Sequence, residues 1–318
     1  MYIGVDLGGI NIAVGLVDDN YNIINKSSVP TGRTRSFEAI MKDMAELCQK
    51  VTEDAGYKMS DVKCIGIGAP GTPDVNGKRV IYANNLDSFT NVNLESEIQK
   101  YFKDMPVFVE NDANAAAYGE LLAGAAKDCA SAVIVTLGTG VGGGVIIDGK
   151  IFSGFNNAGS ELGHMVIVKD GVQCTCGRKG CLEVYASATA LIRQTAEVIA
   201  DYPDSIIHEM VEKNGNKISG KTAFVAAKQG DEAGKKIVSQ YIEYLGVGVS
   251  NIINLLQPQV IVIGGGISKE GENLLVPLRE YVIENIYTRQ DPRTMVLAAK
   301  LGNDAGIIGA AMLWKQSQ

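Results

Sequence analysis

Tyr2-Ile3-Gly4-Val5-Asp6-Leu7-Gly8-Gly9 opens the chain, and Ile10-Asn11-Ile12-Ala13-Val14-Gly15-Leu16-Val17 answers it. The first stretch is an apolar strand, Tyr2–Asp6, that ends in a carboxylate and a glycine pair. The second carries a returning strand, Ile12–Val17. The same arrangement comes back about 130 residues later. There Ala132–Leu137 reads as a strand, Gly138-Thr139-Gly140 as a glycine turn and Gly142–Ile147 as the second strand. A repeated hairpin of this kind is far weaker than a solenoid repeat, but it points to two structurally similar halves.

Working outward, Asp19-Asn20 has turn chemistry ahead of a third strand near Ile23–Ser27. Ile40, Met44, Leu47 and Val51 recur at helical spacing and predict a helix over Ser36–Ala55. Val62–Gly68 is β-rich, Leu94–Phe102 reads as a helix, and a strand over Pro106–Val109 ends in Glu110-Asn111-Asp112. The alanine-rich run Ala113–Ala126 predicts a helix. Leu182–Leu256 is mostly helical. An apolar strand, Val260–Ile263, runs into Gly264-Gly265-Gly266, and a last helix covers Gly306–Lys315. The alternation of strands and helices makes the class α/β. No linker-like composition marks a boundary, so topology alone places it at Asp112. That gives a smaller domain over 1–112 and a larger one over 113–303, with the C-terminal helix of about 304–318 packing back on the first.

The 318 residues suffice for two packed domains, and 46% hydrophobic against 20% charged residues argues for a real core. A net charge of −7 opposes nucleic-acid binding, which relies on Lys and Arg neutralising phosphates. No segment reads as a membrane span, and the N-terminus lacks a basic-then-apolar leader, so the expected location is the cytoplasm. In that compartment the six cysteines are expected as thiols rather than disulfides. Cys48, Cys64 and Cys129 stand among apolar neighbours and read as core.

Three glycine turns follow apolar strands: Asp6-Leu7-Gly8-Gly9, Leu137-Gly138-Thr139-Gly140 and Gly264-Gly265-Gly266. Glycine lets backbone amides approach a phosphate closely, and Asp6 could hold hydrated Mg²⁺. None of the three spells a P-loop or a dinucleotide fingerprint. Glycine turns also simply connect strands, so both readings stand on spacing.

His164, Cys174, Cys176 and Cys181 offer a complete tetrahedral shell for a structural Zn²⁺. The competing reading, three reduced cysteines packed in a loop, is opposed by the polar company of Gln173, Thr175, Arg178 and Lys179. Four protein ligands leave no open position for a hydrolytic zinc. Glu183 in the first turn of a helix is explained by the helix dipole alone. Yet the zinc loop would bring it beside Glu161-Leu162-Gly163-His164, and clustered carboxylates suit a polyhydroxyl ligand. Asp112 fits a helix N-cap as well as it fits an acid that accepts the proton of an attacking hydroxyl.

Taken together, Asp6-Leu7-Gly8-Gly9, Glu110-Asn111-Asp112, the run Leu137–Gly144, Glu161-Leu162-Gly163-His164 and Cys174–Glu183 resemble the ROK family of repressors, open reading frames and sugar kinases. Val184-Tyr185-Ala186-Ser187 is similar to the family's bacterial glucokinases. The resemblance spans nearly the whole chain. It implies two actin-like (ribonuclease-H-like) domains with a central cleft, and phosphorylation of a hexose by ATP, glucose to glucose 6-phosphate in the first place. Asp112 would be the base. Together with Asn85, Asn111, Glu161, His164 and Glu183 it would hold the sugar, His164 serving zinc through one ring nitrogen and sugar through the other. Asp6, Gly8, Gly9, Ile10, Asn11, Thr139, Gly140 and Gly265 would surround the nucleotide. ATP, Mg²⁺ and structural Zn²⁺ are the implied cofactors, and a homodimer or larger homo-oligomer the implied assembly. N-acetylmannosamine, N-acetylglucosamine, mannose and fructose remain rival substrates, and a sugar-binding protein with weak catalysis is a rival of another class.

Repressor members carry an N-terminal helix-turn-helix, which a strand beginning at residue 2 is expected to exclude. Two positions depart from the family pattern. Ile10 stands where threonine is usual, and Asn84-Asn85 where Pro-Asn is usual.

Overall fold

The computed structural model describes residues 1–83 and 86–317. In chain order the elements are β1 (Tyr2–Leu7), β2 (Asn11–Val17), β3 (Ile23–Pro30), α1 (Phe37–Asp54), β4 (Ile65–Ala69), β5 (Thr72–Pro73), β6 (Arg79–Tyr82), β7 (Val92–Asn93), α2 (Leu94–Ile98), β8 (Val107–Asn111), α3 (Asp112–Ala123), β9 (Ala132–Leu137), β10 (Val141–Ile147) and β11 (Lys150–Ile151). Helices α4 (Glu183–Ala186), α5 (Ala188–Val198), α6 (Ile207–Lys213), α7 (Thr222–Lys228) and α8 (Glu232–Leu256) follow, then β12 (Val260–Gly264), α9 (Glu272–Asn285), β13 (Met295–Ala298) and α10 (Asp304–Ala311).

The chain divides into two units. The first comprises Met1–Val133, Gly144–Ser160 and Lys300–Gln318; the second comprises Ile134–Gly143 and Glu161–Ala299. The expected single boundary at Asp112 therefore differs from the observed division, in which α3 lies inside the first unit. The physical reason is packing between α3 and α10. A Cβ on Gly119 would come within 2.1 Å of the Ala305 carbonyl oxygen, and one on Gly309 within 1.7 Å of the Ala115 carbonyl oxygen. Backbones this close hold the two helices as one piece.

In the first unit the sheet order is β3-β2-β1-β4-β8. Strand β1 runs antiparallel to β2 and parallel to β4, which is parallel to β8. The register pairs Asp6 with Gly68, and Gly68 with Glu110. Three parallel strands thus end together, bringing Asp6, Glu110 and Asn111 to one edge, the edge at which open α/β sheets bind ligands. Helix α1, capped by Ser36, buries Ile40, Met44, Leu47 and Val51 as the spacing predicts. Gly4 and Gly66 leave room for α10: a Cβ on either would lie within 2 Å of the Ile307 or Ala310 carbonyl oxygen. Strands β5, β6 and β7 form a small antiparallel sheet absent from the sequence reading. With two to four residues each, they are too short to show a period.

A second five-stranded sheet has the order β11-β10-β9-β12-β13. In the second unit the 25-residue α8 starts at the Asp231 cap and buries Tyr241, whose hydroxyl donates to the Ala186 carbonyl at 2.6 Å. Cys48 and Cys64 are buried, as expected of core thiols, and Cys129 is half-buried. Among the described residues no helix is long and apolar enough to cross a membrane.

Candidate functional site

In the first unit the chemistry gathers where β1, β4 and β8 end. Asn111, the last residue of β8, caps α3: its Oδ1 accepts from the N–H groups of Ala113 at 2.9 Å and Asn114 at 3.2 Å. Its Nδ2 donates to the Gly71 carbonyl at 3.0 Å. The N-cap reading considered for Asp112 is thereby corrected. Capping falls to Asn111 because its backbone is extended while Asp112 is already helical. Burial pushes the Asp112 carboxyl above the usual carboxylate range, partly offset by the Ala113 N–H at 2.9 Å. Asp6 is pushed up to about 6, first by burial and then by the negative charge of Asp112. Glu110 is also raised by burial while accepting from the Asn111 N–H at 2.8 Å and Asn114 Nδ2 at 3.0 Å.

The β1–β2 turn is closed by Gly8 N–H donating to the Asn11 carbonyl at 2.9 Å. Thr31 braces it from outside, its N–H on the Ile10 carbonyl at 2.8 Å and its hydroxyl on the Gly8 carbonyl at 2.6 Å. The Ile10 side chain is 81% exposed, so an apolar group stands bare at the tip of the turn. Beside the turn lies a cavity of about 610 Å³ lined by Asp6, Gly8–Asn11, Lys26–Ser28, Asn303 and Asp304 among others. Lys26 and the Asn303-Asp304 pair were missed by sequence reasoning. They come from distant segments with no motif of their own, and only the docking of α10 on the sheet reveals them.

In the second unit His164, Cys174, Cys176 and Cys181 place one ligand atom each within 4.8 Å of one another. His164 Nδ1 lies 3.7 Å from Cys174 Sγ, and the Cys176 and Cys181 sulfurs are 3.7 Å apart. A tetrahedron with Zn–S bonds of about 2.3 Å has edges of about 3.8 Å, so the donor set and its spacing fit Zn²⁺. The loop closes through Cys174 N–H on the Arg178 carbonyl, with left-handed Gly177 and Gly180 at its corners. The β-bridge between Val166 and Cys181 ties it to the segment bearing His164. With Nδ1 turned to the sulfurs, His164 keeps Nε2 for another partner.

Glu183, at the start of α4, reaches the β9–β10 hairpin, where its Oε2 accepts from the Val141 N–H at 3.0 Å. A Cβ on Gly140 would lie 2.3 Å from that same oxygen. Thus one reason for glycine at 140 is room for Glu183. Further contacts pin the turn. The Gly138 carbonyl accepts from Ala188 N–H and the Thr139 carbonyl from the Thr189 hydroxyl, both at 2.8 Å. Gly163 abuts the Val141 carbonyl, which sets the Leu162–His164 turn against the hairpin, with Glu161 exposed beside it. Gly265 adopts φ 81° and packs on the end of β9 at Leu137. Within this unit Thr139, Gly140, His164, Glu183 and Gly265 therefore gather around one hairpin. Asn85 lies outside the described residues.

Two parallel carboxylate-bearing strands with a glycine hairpin, and a second hairpin tied to a His/Cys loop, make up the site. The sequence profile of the ROK family matches residues 2–317, and the chain belongs to that family. It is 38% identical to the glucokinase of Thermotoga maritima, covering 99% of this chain and 97% of that one. It is 35% identical to the glucokinase of Halalkalibacterium halodurans, covering 100% and 96%. Among solved structures, the ROK family glucokinase of Streptomyces griseus in complex with glucose and AMPPNP aligns with TM-score 0.82 and 36% identity, covering 98% of each chain.

Proposed function

We propose that this chain transfers the γ-phosphate of ATP to the 6-hydroxyl of glucose. The observation that carries the reading is the half-buried Asp112 carboxylate at the head of α3, beside Asp6, in a chain similar over its whole length to glucokinases. The glucose O6 attacks the γ-phosphorus, the bond from that phosphorus to the β–γ bridging oxygen breaks, and ADP leaves with the electron pair. The O6 proton passes to Asp112. Its raised affinity for a proton suits a base that is needed late in a loose transition state. Asp6 bears a charge destabilised by burial and by Asp112, so it fits a divalent ion held through water. Mg²⁺ there supplies neutralisation of phosphate charge.

Asn85, Asn111, Glu161, His164 through Nε2, and Glu183 are assigned to the sugar hydroxyls. Gly8, Gly9, Ile10, Asn11, Thr139, Gly140 and Gly265 are assigned to the nucleotide. His164, Cys174, Cys176 and Cys181 would hold a structural Zn²⁺, which would fix the orientation of the His164 ring rather than activate water. We place the protein in the cytoplasm, as a homodimer or larger homo-oligomer. Bare Ile10 favours a second reading, a sugar-binding protein with weak catalysis.

A coupled ADP-release assay with MgATP and a hexose panel tests this. Glucose is expected to outrun mannose, fructose and the N-acetylhexosamines, and Asp112→Ala to lose on the order of 10²–10⁴ in kcat. A faster N-acetylhexosamine would reassign the substrate. No sugar-dependent ADP release from zinc-loaded, folded protein would favour the binding reading.

A further inference from the structure

The cavity beside Asp6 contains one cationic side chain among its lining residues, Lys26, whose Nζ is tied to Asp304 Oδ1 at 2.5 Å. Its volume of about 610 Å³ falls in the roughly 300–1,000 Å³ range of small-molecule sites. Its wall includes the Gly8–Asn11 turn assigned above to the nucleotide, along with Asn303 and with Ser28, which shares the Lys26 face of β3 and can donate a hydrogen bond. Two carboxylates, Asp6 and Asp304, face the same space. Asp6 and Asp304 against Lys26 leave the lining net negative, so a polyanion entering it needs the one ammonium placed directly on its phosphates.

We propose that Lys26 is a ligand for the phosphate chain of the donor, held ready by Asp304 until the donor arrives; this rests on the kinase reading above. The ion pair is suited to exchange. The side chains of Lys26 and Asp304 are 54% and 35% exposed, so solvent screens the pair and leaves it weak enough to exchange. A phosphate chain offers the ammonium more charge than one carboxylate does, and it gains Ser28 as a neighbour on the same face of β3. Lys26 stands on β3 and Asp304 opens α10, so segments 278 positions apart meet at this cavity. The chemistry recognised is a linear polyphosphate chain, whether carried by a nucleoside or free.

The test compares Lys26→Met and Asp304→Asn in the full chain. Lys26→Met is expected to raise KM for MgATP about tenfold, the worth of one charge-assisted hydrogen bond, with KM for glucose moved little. Asp304→Asn, which frees Lys26, is expected to lower KM for MgATP. Opposite signs support the proposal. Shifts of the same sign, or none, overturn it and leave the pair as a structural tie that both variants weaken in Tm. Calorimetric titration with MgATP and with inorganic tripolyphosphate reads the same contrast without turnover. A wild type that binds MgATP but releases no ADP would sink the kinase reading while still deciding on Lys26. Loss of tripolyphosphate binding together with MgATP binding identifies the chain as the recognised part; loss of MgATP binding alone, with tripolyphosphate never bound, overturns it.

Discussion

The β1–β2 and β9–β10 hairpins are built from similar sequence and end in different circumstances. At the first, the tip is bare: Ile10 is exposed, and the turn borders an open cavity. At the second, every residue of the turn is engaged by its own unit. Gly138 and Thr139 are held by the start of α5, and Glu183 occupies the space left by Gly140. One glycine turn is left free to approach a ligand, while the other uses its missing side chains to seat a carboxylate. A shared motif therefore carries a shared backbone shape, not a shared task.

Removing zinc should break this contrast most severely. Chelation strips the loop that places Glu183 and His164, so the second unit is expected to melt lower by about ten degrees or more, with the first unit's transition unmoved. Scanning calorimetry with and without chelator reads both transitions, and equal shifts would refute the division of labour. Next in size is Asp6. Its folded-state pKa of about 6 exceeds the ordinary 3.8, so its contribution is full below about pH 4 and is lost as pH rises through 6. Asp6→Asn should remove that dependence and stabilise the first unit at pH 7 by about 2–3 kcal/mol. Denaturant melts at pH 4 and pH 7 would show it; a variant with the wild-type pH slope would exonerate Asp6.

Smaller effects separate the two turns directly. Gly140→Ala should displace Glu183 from the Val141 N–H, lowering stability by about 1 kcal/mol and raising KM for glucose more than KM for ATP. Ile10→Thr adds a hydroxyl to the bare tip and is expected to lower KM for ATP about fivefold, the equivalent of one hydrogen bond of about 1 kcal/mol. An unchanged KM for ATP would mean that the hydroxyl usual at this position does nothing here.

Local chemistry explains what could be read in advance. His164 and the three cysteines of one short loop gather their ligand atoms within 4.8 Å, and this donor set was legible as a metal-type spacing. The strands β1, β2, β9 and β10 were legible from unbroken apolar runs closed by glycine, and α1 from its period. Three things were not legible. Asn111 rather than Asp112 caps α3, because the choice depends on where helical backbone angles begin. The β5–β7 sheet is too short to show alternation. The meeting of Lys26 with Asp304 spans 278 positions, which no local pattern encodes.

By itself the sequence determined the α/β class, the two glycine hairpins, the His/Cys cluster and the carboxylates at strand ends, since each depends on residue type and short-range spacing. Only the tertiary structure decided that Asp6 carries a raised pKa, that Gly140 makes room for Glu183 and that α10 brings Asp304 to the cavity beside Asp6. Those features arise from burial and from the close approach of distant backbones, and both are set by the packing of the whole fold.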